Sequence, residues 1–481
     1  DTSMPTTIVG TGTASSCTEQ ALAAAVAKGG IITFYCGSAT IKVTQTIQLP
    51  IDKDTVIDGA NKVSLDGGGK TRILQFMGPG SRATTTSVTL QHLDIVHGNA
   101  TPGACSQGNT DAGGTGGGGG IFVHDGKLHV IDVRFTDNQS TGPSVGGGAI
   151  YAEASLDVTA VGSTFTSNGG SNGGAIRSVN SDLTLVDDTF ATNQATGSGC
   201  GVDGGSVDGG QSPNGGNSGA IGVSGTTDGP LTVCGCVFAS NSAVGYGGAL
   251  GRSADGVMQT VSIDQTTFDG NTASQGGAMN IHNCNLDITA STISNNSASG
   301  AGGIQADNTK INFVNDTFAG NATTATTGIG GAMTLLGNGG TIQSCTFADN
   351  HADHVPGAFA AAIAGGVTLT INDTIFWDNT SQECMSPMTC QTGSSTGQAD
   401  LQWPSHHIAC TMPPDPACAA GGTTFADANL SPIGWNGGPT QTLLPGAGSP
   451  ANGAGTACPM TDQRGVSRKA DGCTVGAVEM Q

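Results

Sequence analysis

The chain is 481 residues long, with 80 glycines, 11% charged and 4% aromatic residues, and 36 acidic against 15 basic side chains for a net charge of -21. A negative field of that size repels phosphate backbones and anionic lipid surfaces, so nucleic acid is not an expected partner, and a polyanionic sugar needs a bridging cation. So much glycine supplies turns rather than buried side chains, which points away from a thick globular core and toward a repeated architecture.

In chain order, "CTEQALAAAVAKGG" predicts a short helix that covers the open end of a coil, within an amino-terminal cap over 1–40. Cys17 and Cys36 flank it and are expected to pair. "VTLQHLDIVHGN" then reads as an early, less regular turn of the coil.

From there one unit recurs. The residue before the first strand apolar falls at Gly120, Ala149, Ala175, Ala220, Ala249, Ala278, Gly303 and Ala332, at spacings of 29, 26, 45, 29, 29, 25 and 29. Most copies carry GGA followed by Ile, Leu or Met, a short alternating segment, and a phenylalanine three residues before an asparagine. Short alternating runs without a helix-length amphipathic stretch predict two or three strands per copy, stacked at about 4.8 Å. The predicted fold is all-β: a right-handed parallel β-helix over 41–380. Ile150, Ile176, Leu250, Met279 and Met333 are expected in one inner row, and Phe135, Phe165, Phe190, Phe238 and Phe268 in another. Asn138, Asn168, Asn193, Asn241, Asn271, Asn321, Asn350 and Asn379 are expected to form a ladder at a repeated corner. Asp132, Asp187, Asp316 and Asp373 are expected to satisfy turn amides.

After Asn379 the pattern fades into a loop-rich tail over 381–481, expected to pack on the last turns as a carboxyl-terminal cap. Fourteen cysteines, few at metal-ligand spacing, suggest disulfides and an oxidising compartment. The sequence-near pairs are Cys384 with Cys390, Cys410 with Cys418 and Cys458 with Cys473, whereas Cys234 and Cys236 in "CGC" are expected to be structural. No apolar run approaches the ~20 residues of a membrane helix, and a mature exported chain is expected.

The repeat motifs resemble the polymorphic outer-membrane protein repeat. The tail segments "NGGPTQTLL", "GSPA", "DQRG" and "GAVE" resemble the carboxyl-terminal signature of the choice-of-anchor Q family of bacterial surface β-helix proteins. The acidic, enzyme-sized chain is similar to the outer-membrane β-1,6-glucanases of predatory bacteria. These resemblances imply a β-helix at the cell surface or in the medium, in a group that includes adhesins, anchored proteins and carbohydrate-active enzymes.

Strand alternation sets the candidate site. With Ile121, Ile150 and Ile176 inward, Phe122, Tyr151 and Arg177 point outward, followed two residues later by His124, Glu153 and Val179, with Asp125 at the edge. Two insertions, "TPGACSQGNTDAGGTGGGG" and "TGSGCGVDGGSVDGGQSPNGGNSG", flank these strands as expected walls, tied by a Cys105–Cys200 bridge. Glycoside hydrolysis needs two carboxyl groups roughly 5 to 9.5 Å apart, one to protonate the leaving oxygen and one to activate water or attack. Glu153, one of four glutamates, is the first candidate; Asp125, Asp157, Asp203 and Asp208 compete to be its partner. Arg177 would hold a carboxylate ionised, and Tyr151 and Phe122 would offer a stacking platform. Asn280, His282, Gln305 and Asp307 form a second outward patch of candidate sugar contacts. His406 and His407 beside Trp403 lack a third ligand at useful spacing, so no metal and no cofactor is expected.

The expected function is an exported or surface enzyme that hydrolyses a neutral β-glucan internally, acting as a monomer with an outer-membrane surface association. A polysaccharide lyase needs a more basic groove, and a surface adhesin needs no chemistry at all; both stay open at this point.

Overall fold

The computed structural model describes residues 2–100, 116–140, 146–197, 215–226, 229–353, 357–363, 367–381, 388–390, 394–398, 401–404 and 424–481. They fall into two compact units, one formed by Asp1–Thr232, Ser240–Gly245 and Leu250–Gly256, the other by Val233–Ala239, Tyr246–Ala249 and Val257–Gln481. The architecture is a right-handed parallel β-helix, as the repeat predicts.

In the first unit, strands Ile121–His124, Ile150–Glu153, Ile176–Val179, Ile221–Gly225 and Leu250–Ala254 pair in parallel, with Ile121, Ile150, Ile176, Ile221 and Leu250 in one row. Lys127–Ile131, Asp157–Val161 and Leu183–Val186 belong to the second sheet. Arg134–Thr136, Thr164–Thr166 and Thr189–Ala191 belong to the third. The second unit repeats the plan with Met279–His282, Ile304–Asp307 and Met333–Gly337 in its first sheet. The inner rows are sealed from water: Ile150, Ile176, Leu250, Met279 and Met333 are all fully buried. Phe135, Phe165 and Phe190 stack face to face at 4.9 and 4.6 Å, and Phe238 and Phe268 at 4.6 Å.

The glycines and asparagines of the repeat do different work. The first glycine of GGA takes a left-handed backbone, with φ +65° at Gly147 and +62° at Gly276. The second lies where adjacent turns nearly touch, so that a Cβ on Gly277 would meet Gly302 O at 2.1 Å. The asparagines form buried amide ladders. In the first unit Asn138 Nδ2 and N both donate to Asn168 Oδ1, and the pattern continues through Asn193 to Asn241. In the second it runs Asn271, Asn296, Asn321, Asn350, Asn379. Asn296 is an unexpected member, because its copy has Ile293 in place of the phenylalanine that flagged the others.

A second ladder was not anticipated from sequence. One residue after the left-handed corner in most copies, a small polar side chain turns inward and accepts the neighbouring copy's backbone N–H. Val133 N donates to Ser163 Oγ and Ser163 N to Asp188 Oδ1 in the first unit. In the second, Thr266 N donates to Ser291 Oγ, Ser291 N to Asp316 Oδ1 and Cys345 N to Thr374 Oγ1. Asp132, Asp187 and Asp373 occupy the left-handed corner itself, at φ +50°, +55° and +49°. Burial lifts the Asp188 carboxyl to about 7 against the hydrogen bonds it accepts, and lifts Asp316 well above the ordinary carboxylate range.

Both caps are present. Helix Glu19–Val26 is capped by Thr18, whose hydroxyl accepts from Ala21 N at 3.2 Å, and it buries Leu22, Ala25 and Val26. Glu19 ties the helix to the coil by accepting from Thr44 N and Gln45 N, both at 2.8 Å. The tail packs along the flank of the second unit, where Ala428, Leu430, Leu443, Ala451 and Val475 join Ala319, Ala348 and Ile375 in one apolar cluster. Its signature residues are docking residues. Gln463 accepts from Thr317 Oγ1 at 2.6 Å and donates to Ser291 O at 3.1 Å; Thr292 Oγ1 donates to Gln441 O. Asp462, by contrast, is fully enclosed and braces the tail from within, taking Arg464 Nε and NH2 at 2.9 and 2.8 Å. Disulfides Cys17–Cys36 and Cys458–Cys473 are formed. The expected pairs Cys105–Cys200, Cys384–Cys390 and Cys410–Cys418 involve positions outside the described residues, as do His406 and His407.

Candidate functional site

Parallel register brings the predicted cluster together. Phe122, Tyr151 and Arg177 are consecutive partners on the outer side of the first sheet, and His124 pairs with Glu153, which pairs with Val179. His124 Nδ1 lies 3.3 Å from Glu153 Oε2, with 19% and 20% of the two side chains exposed. The Phe122 and Tyr151 rings stack at 5.4 Å.

Pointing outward is not the same as being open, and here the expectation needs correction. Phe122 is fully buried and Tyr151 is 5% exposed, so neither offers a free ring for a sugar to stack on. The backbone at Gly117 covers Tyr151, where an added Cβ would come within 2.6 Å of the ring. Arg72 covers Phe122, its guanidinium 5.2 Å from the ring centroid. Arg72 is held by Gly117 O at 2.7 Å, Gly118 O at 3.2 Å and Gln75 Oε1 at 2.8 Å, and burial pushes it down to about 10, still charged at neutral pH. Arg177 is 9% exposed and donates to Ser224 Oγ at 2.6 Å.

The two nearest candidate carboxylates also have other tasks. Asp125 is fully buried in a left-handed turn. Its oxygens accept from Gly126 N at 2.8 Å, Thr84 N at 3.1 Å and Thr84 Oγ1 at 2.9 Å. Burial alone would raise its pKa, but these bonds and one from the Ser81 backbone outweigh it and hold the carboxyl below its usual range. It is an anchor for the segment 78–86, rather than a group poised to exchange protons. Asp157 lies round the corner on the second sheet, bound to His129 Nε2 at 3.1 Å and Thr159 Oγ1 at 2.7 Å. Asp203 and Asp208 fall outside the described residues.

The segment 78–86 is a wall that sequence reading missed. Gly80 packs so closely that a Cβ there would sit 2.4 Å from His124 Nε2. Arg82 reaches across to Asn180 O at 2.6 Å and Asp182 Oδ1 at 2.9 Å. The only sequence signal for Arg72 and Arg82 is the scarcity of basic residues, which gives each one weight but no position.

The second patch forms in the second unit as expected from register: Asn280 pairs with Gln305, and His282 with Asp307. Gln305 Nε2 donates to Asp307 Oδ1 at 2.6 Å. Burial raises the Asp307 carboxyl, more than the Gln305 bond and the nearby His282 lower it. His282 Nδ1 is buried without a hydrogen-bond partner. The patch therefore presents a carboxylic acid that holds its proton more tightly than usual beside an unsatisfied imidazole nitrogen.

Among the described residues, no group of three His, Cys, Asp or Glu side chains could hold a metal, and no helix is long and apolar enough to cross a membrane. No protein-family model and no curated protein matches the chain. Three solved structures show a distant similarity to the chain. Tailspike protein 3 of bacteriophage CBA120 shares 12% identity at a TM-score of 0.43, over 82% of this chain and 59% of that one. The chain thus spans about three fifths of that tailspike's length. PfbA, a surface adhesin of Streptococcus pneumoniae, shares 12% identity at 0.33 over 80% and 81% of the two chains. A mutant tailspike of E. coli bacteriophage HK620, solved in complex with a pentasaccharide, shares 11% at 0.25 over 84% and 74%.

Proposed function

We propose that the protein is an exported or surface-associated enzyme that hydrolyses a neutral polysaccharide, most simply a β-glucan with β-1,6 linkages among those to test. The observation that carries this reading is the half-enclosed Glu153 carboxylate, fixed on a rigid strand against His124 and bounded by the segment 78–86. A carboxylate held in that way suits attack on an anomeric carbon or activation of water, with the imidazole beside it to carry a proton. The net charge of -21 favours an uncharged polymer. Asn280, His282, Gln305 and Asp307 are proposed as sugar contacts in their own unit. The repeat and tail motifs support placement among exported surface β-helix proteins.

A second reading, a glycan-binding surface without turnover, draws on the fact that Asp125 and Asp157 are both committed elsewhere. Digestion of a panel of neutral glucans decides between them. New reducing ends that disappear in Glu153→Gln, with the melting temperature kept, support hydrolysis; a loss of at least about 100-fold is expected for removal of an acid–base or nucleophilic group. Ultraviolet absorbance from an unsaturated sugar would indicate a lyase instead, and binding without new reducing ends would leave the adhesin.

A further inference from the structure

Away from Glu153, the first unit contains a polar groove of about 390 Å³ at the corner that leads into strands Ile47–Gln48 and Leu74–Met77. Gln45, Thr46, Lys70, Arg72 and Asn99 line it. Its volume is at the small end of the roughly 300–1,000 Å³ typical of small-molecule sites.

One atom says what the groove lacks. Asn99 Nδ2 donates to Gly69 O at 2.9 Å, which fixes the orientation of the amide because the carbonyl can only accept. Asn99 Oδ1 is left buried with no partner, an acceptor that requires an O–H or N–H donor. Arg72 does not make this an anion site: it spends its N–H groups on Gly117 O, Gly118 O and Gln75 Oε1, and a bare acceptor repels a carboxylate or sulfate. The exposed Lys70 ammonium is a donor that a sugar hydroxyl can accept as well as an anion can. Thr71 Oγ1 donates to Thr44 O at 3.3 Å, and Thr44 Oγ1 to Glu19 at 2.7 Å, so the hydroxyls of this corner have lone pairs left to accept further donors. The groove asks for a neutral ligand rich in hydroxyl groups.

Arg72 is also the shared wall between the groove and the Glu153 cluster, since its guanidinium lies over Phe122, which stacks on Tyr151. Strand Leu74–Met77 pairs with Ile121–His124, which pairs with Ile150–Glu153. Two strand spacings across and three residues along place the start of Leu74–Met77 roughly 14 Å from Glu153.

We propose that this groove is a sugar-binding subsite, with Asn99 Oδ1 accepting a ring hydroxyl, which holds the far end of an oligosaccharide whose other end reaches Glu153. The inference rests on the glucan reading above, and its test separates the two. The full chain carrying Glu153→Gln is titrated calorimetrically with β-1,3-, β-1,4- and β-1,6-linked glucopentaoses and with tetragalacturonate. Asn99→Ala, which removes the acceptor, and Thr46→Trp, which fills the groove, are each added, and circular dichroism checks their folding. Expected is binding of one glucopentaose that is insensitive to 0.5 M salt and weakens at least five-fold in both variants. A glucopentaose that binds all three chains equally overturns the groove while the glucan reading stands. Tighter binding of tetragalacturonate, lost in Asn99→Ala, overturns the neutral ligand. No binding of any glucopentaose by any chain sinks the glucan reading and the groove together.

Discussion

Asp188 shows how one buried side chain sets a pH dependence. It is 1% exposed, its Oδ1 accepts from Ser163 N at 2.7 Å and its Oδ2 has no partner. With a folded pKa near 7 and an unfolded one near 4, the native chain holds a proton that the unfolded chain has released across that window. Stability therefore falls as pH rises from about 4 to about 7, by an amount on the order of 4 kcal/mol from this group, and changes little above that. Asp188→Asn keeps the acceptor and removes the ionisation, so its melting temperature should gain on the wild type between pH 5 and pH 8. A constant difference across that range would show that Asp188 does not titrate as described. Neither this role nor that of Asp125 was visible in sequence, where Asp125 read as a candidate catalytic partner of Glu153 and Asp188 was not singled out. Alternation correctly turned Glu153 and His124 outward, but it carries no information about the segment 78–86 or Arg72, which lie over the sheet from irregular parts of the chain.

Single elements of the coil were far more legible, because every copy repeats the same physical problem. The exception is instructive. In "ISNN" two asparagines are adjacent, and only the second faces inward: Asn296 is fully buried, donating to Phe268 O and Asn321 Oδ1 while accepting from Asn271 N and Nδ2. Replacing it by alanine removes all four of these bonds and leaves the Asn271 donors without their acceptor, so Asn296→Ala should cost at least about 3 kcal/mol in urea unfolding. Asn295 is exposed and makes one side-chain bond, to Asp269 at 2.8 Å. Asn295→Ala should cost under about 1 kcal/mol, and similar losses in both variants would disprove the ladder. A motif defined by phenylalanine passed over this copy, although Ile293 fills the same inner row. Of the ladder of Ser163, Asp188, Thr266, Ser291 and Asp316, only Asp316 was read as serving turn amides, and the rest escaped notice for a related reason: the chemistry, a short side chain with an acceptor, is kept in geometry while the residue type varies.

At the scale of the molecule, the described part of the tail carries one disulfide and many polar contacts. Cys458 and Cys473 close a loop of sequence separation 15, which by loop-closure entropy contributes about 3 kcal/mol. Replacing both by alanine should let protease reach the segment 424–481 at denaturant concentrations where the coil remains intact, measured by mass spectrometry of the fragments; simultaneous loss of coil and tail would mean that they unfold as one. The sequence indicated that the tail packs on the last turns, and its motifs turn out to dock it through Gln441, Gln463 and Ala477, while Asp462 and Glu479 brace the tail from within. Where along the flank it lies was not legible, since those contacts join positions up to 172 residues apart. The amide ladder has one more implication. In the second unit each side-chain amide donates forward to the next asparagine's oxygen and back to a carbonyl of the preceding copy, while its own oxygen accepts from the preceding asparagine, at intervals of 25 and 29 residues, so every junction is interchangeable with every other. Lineages of such a chain can lengthen or shorten by whole modules without inventing a new joint, and variation in size should then come in steps rather than by single residues.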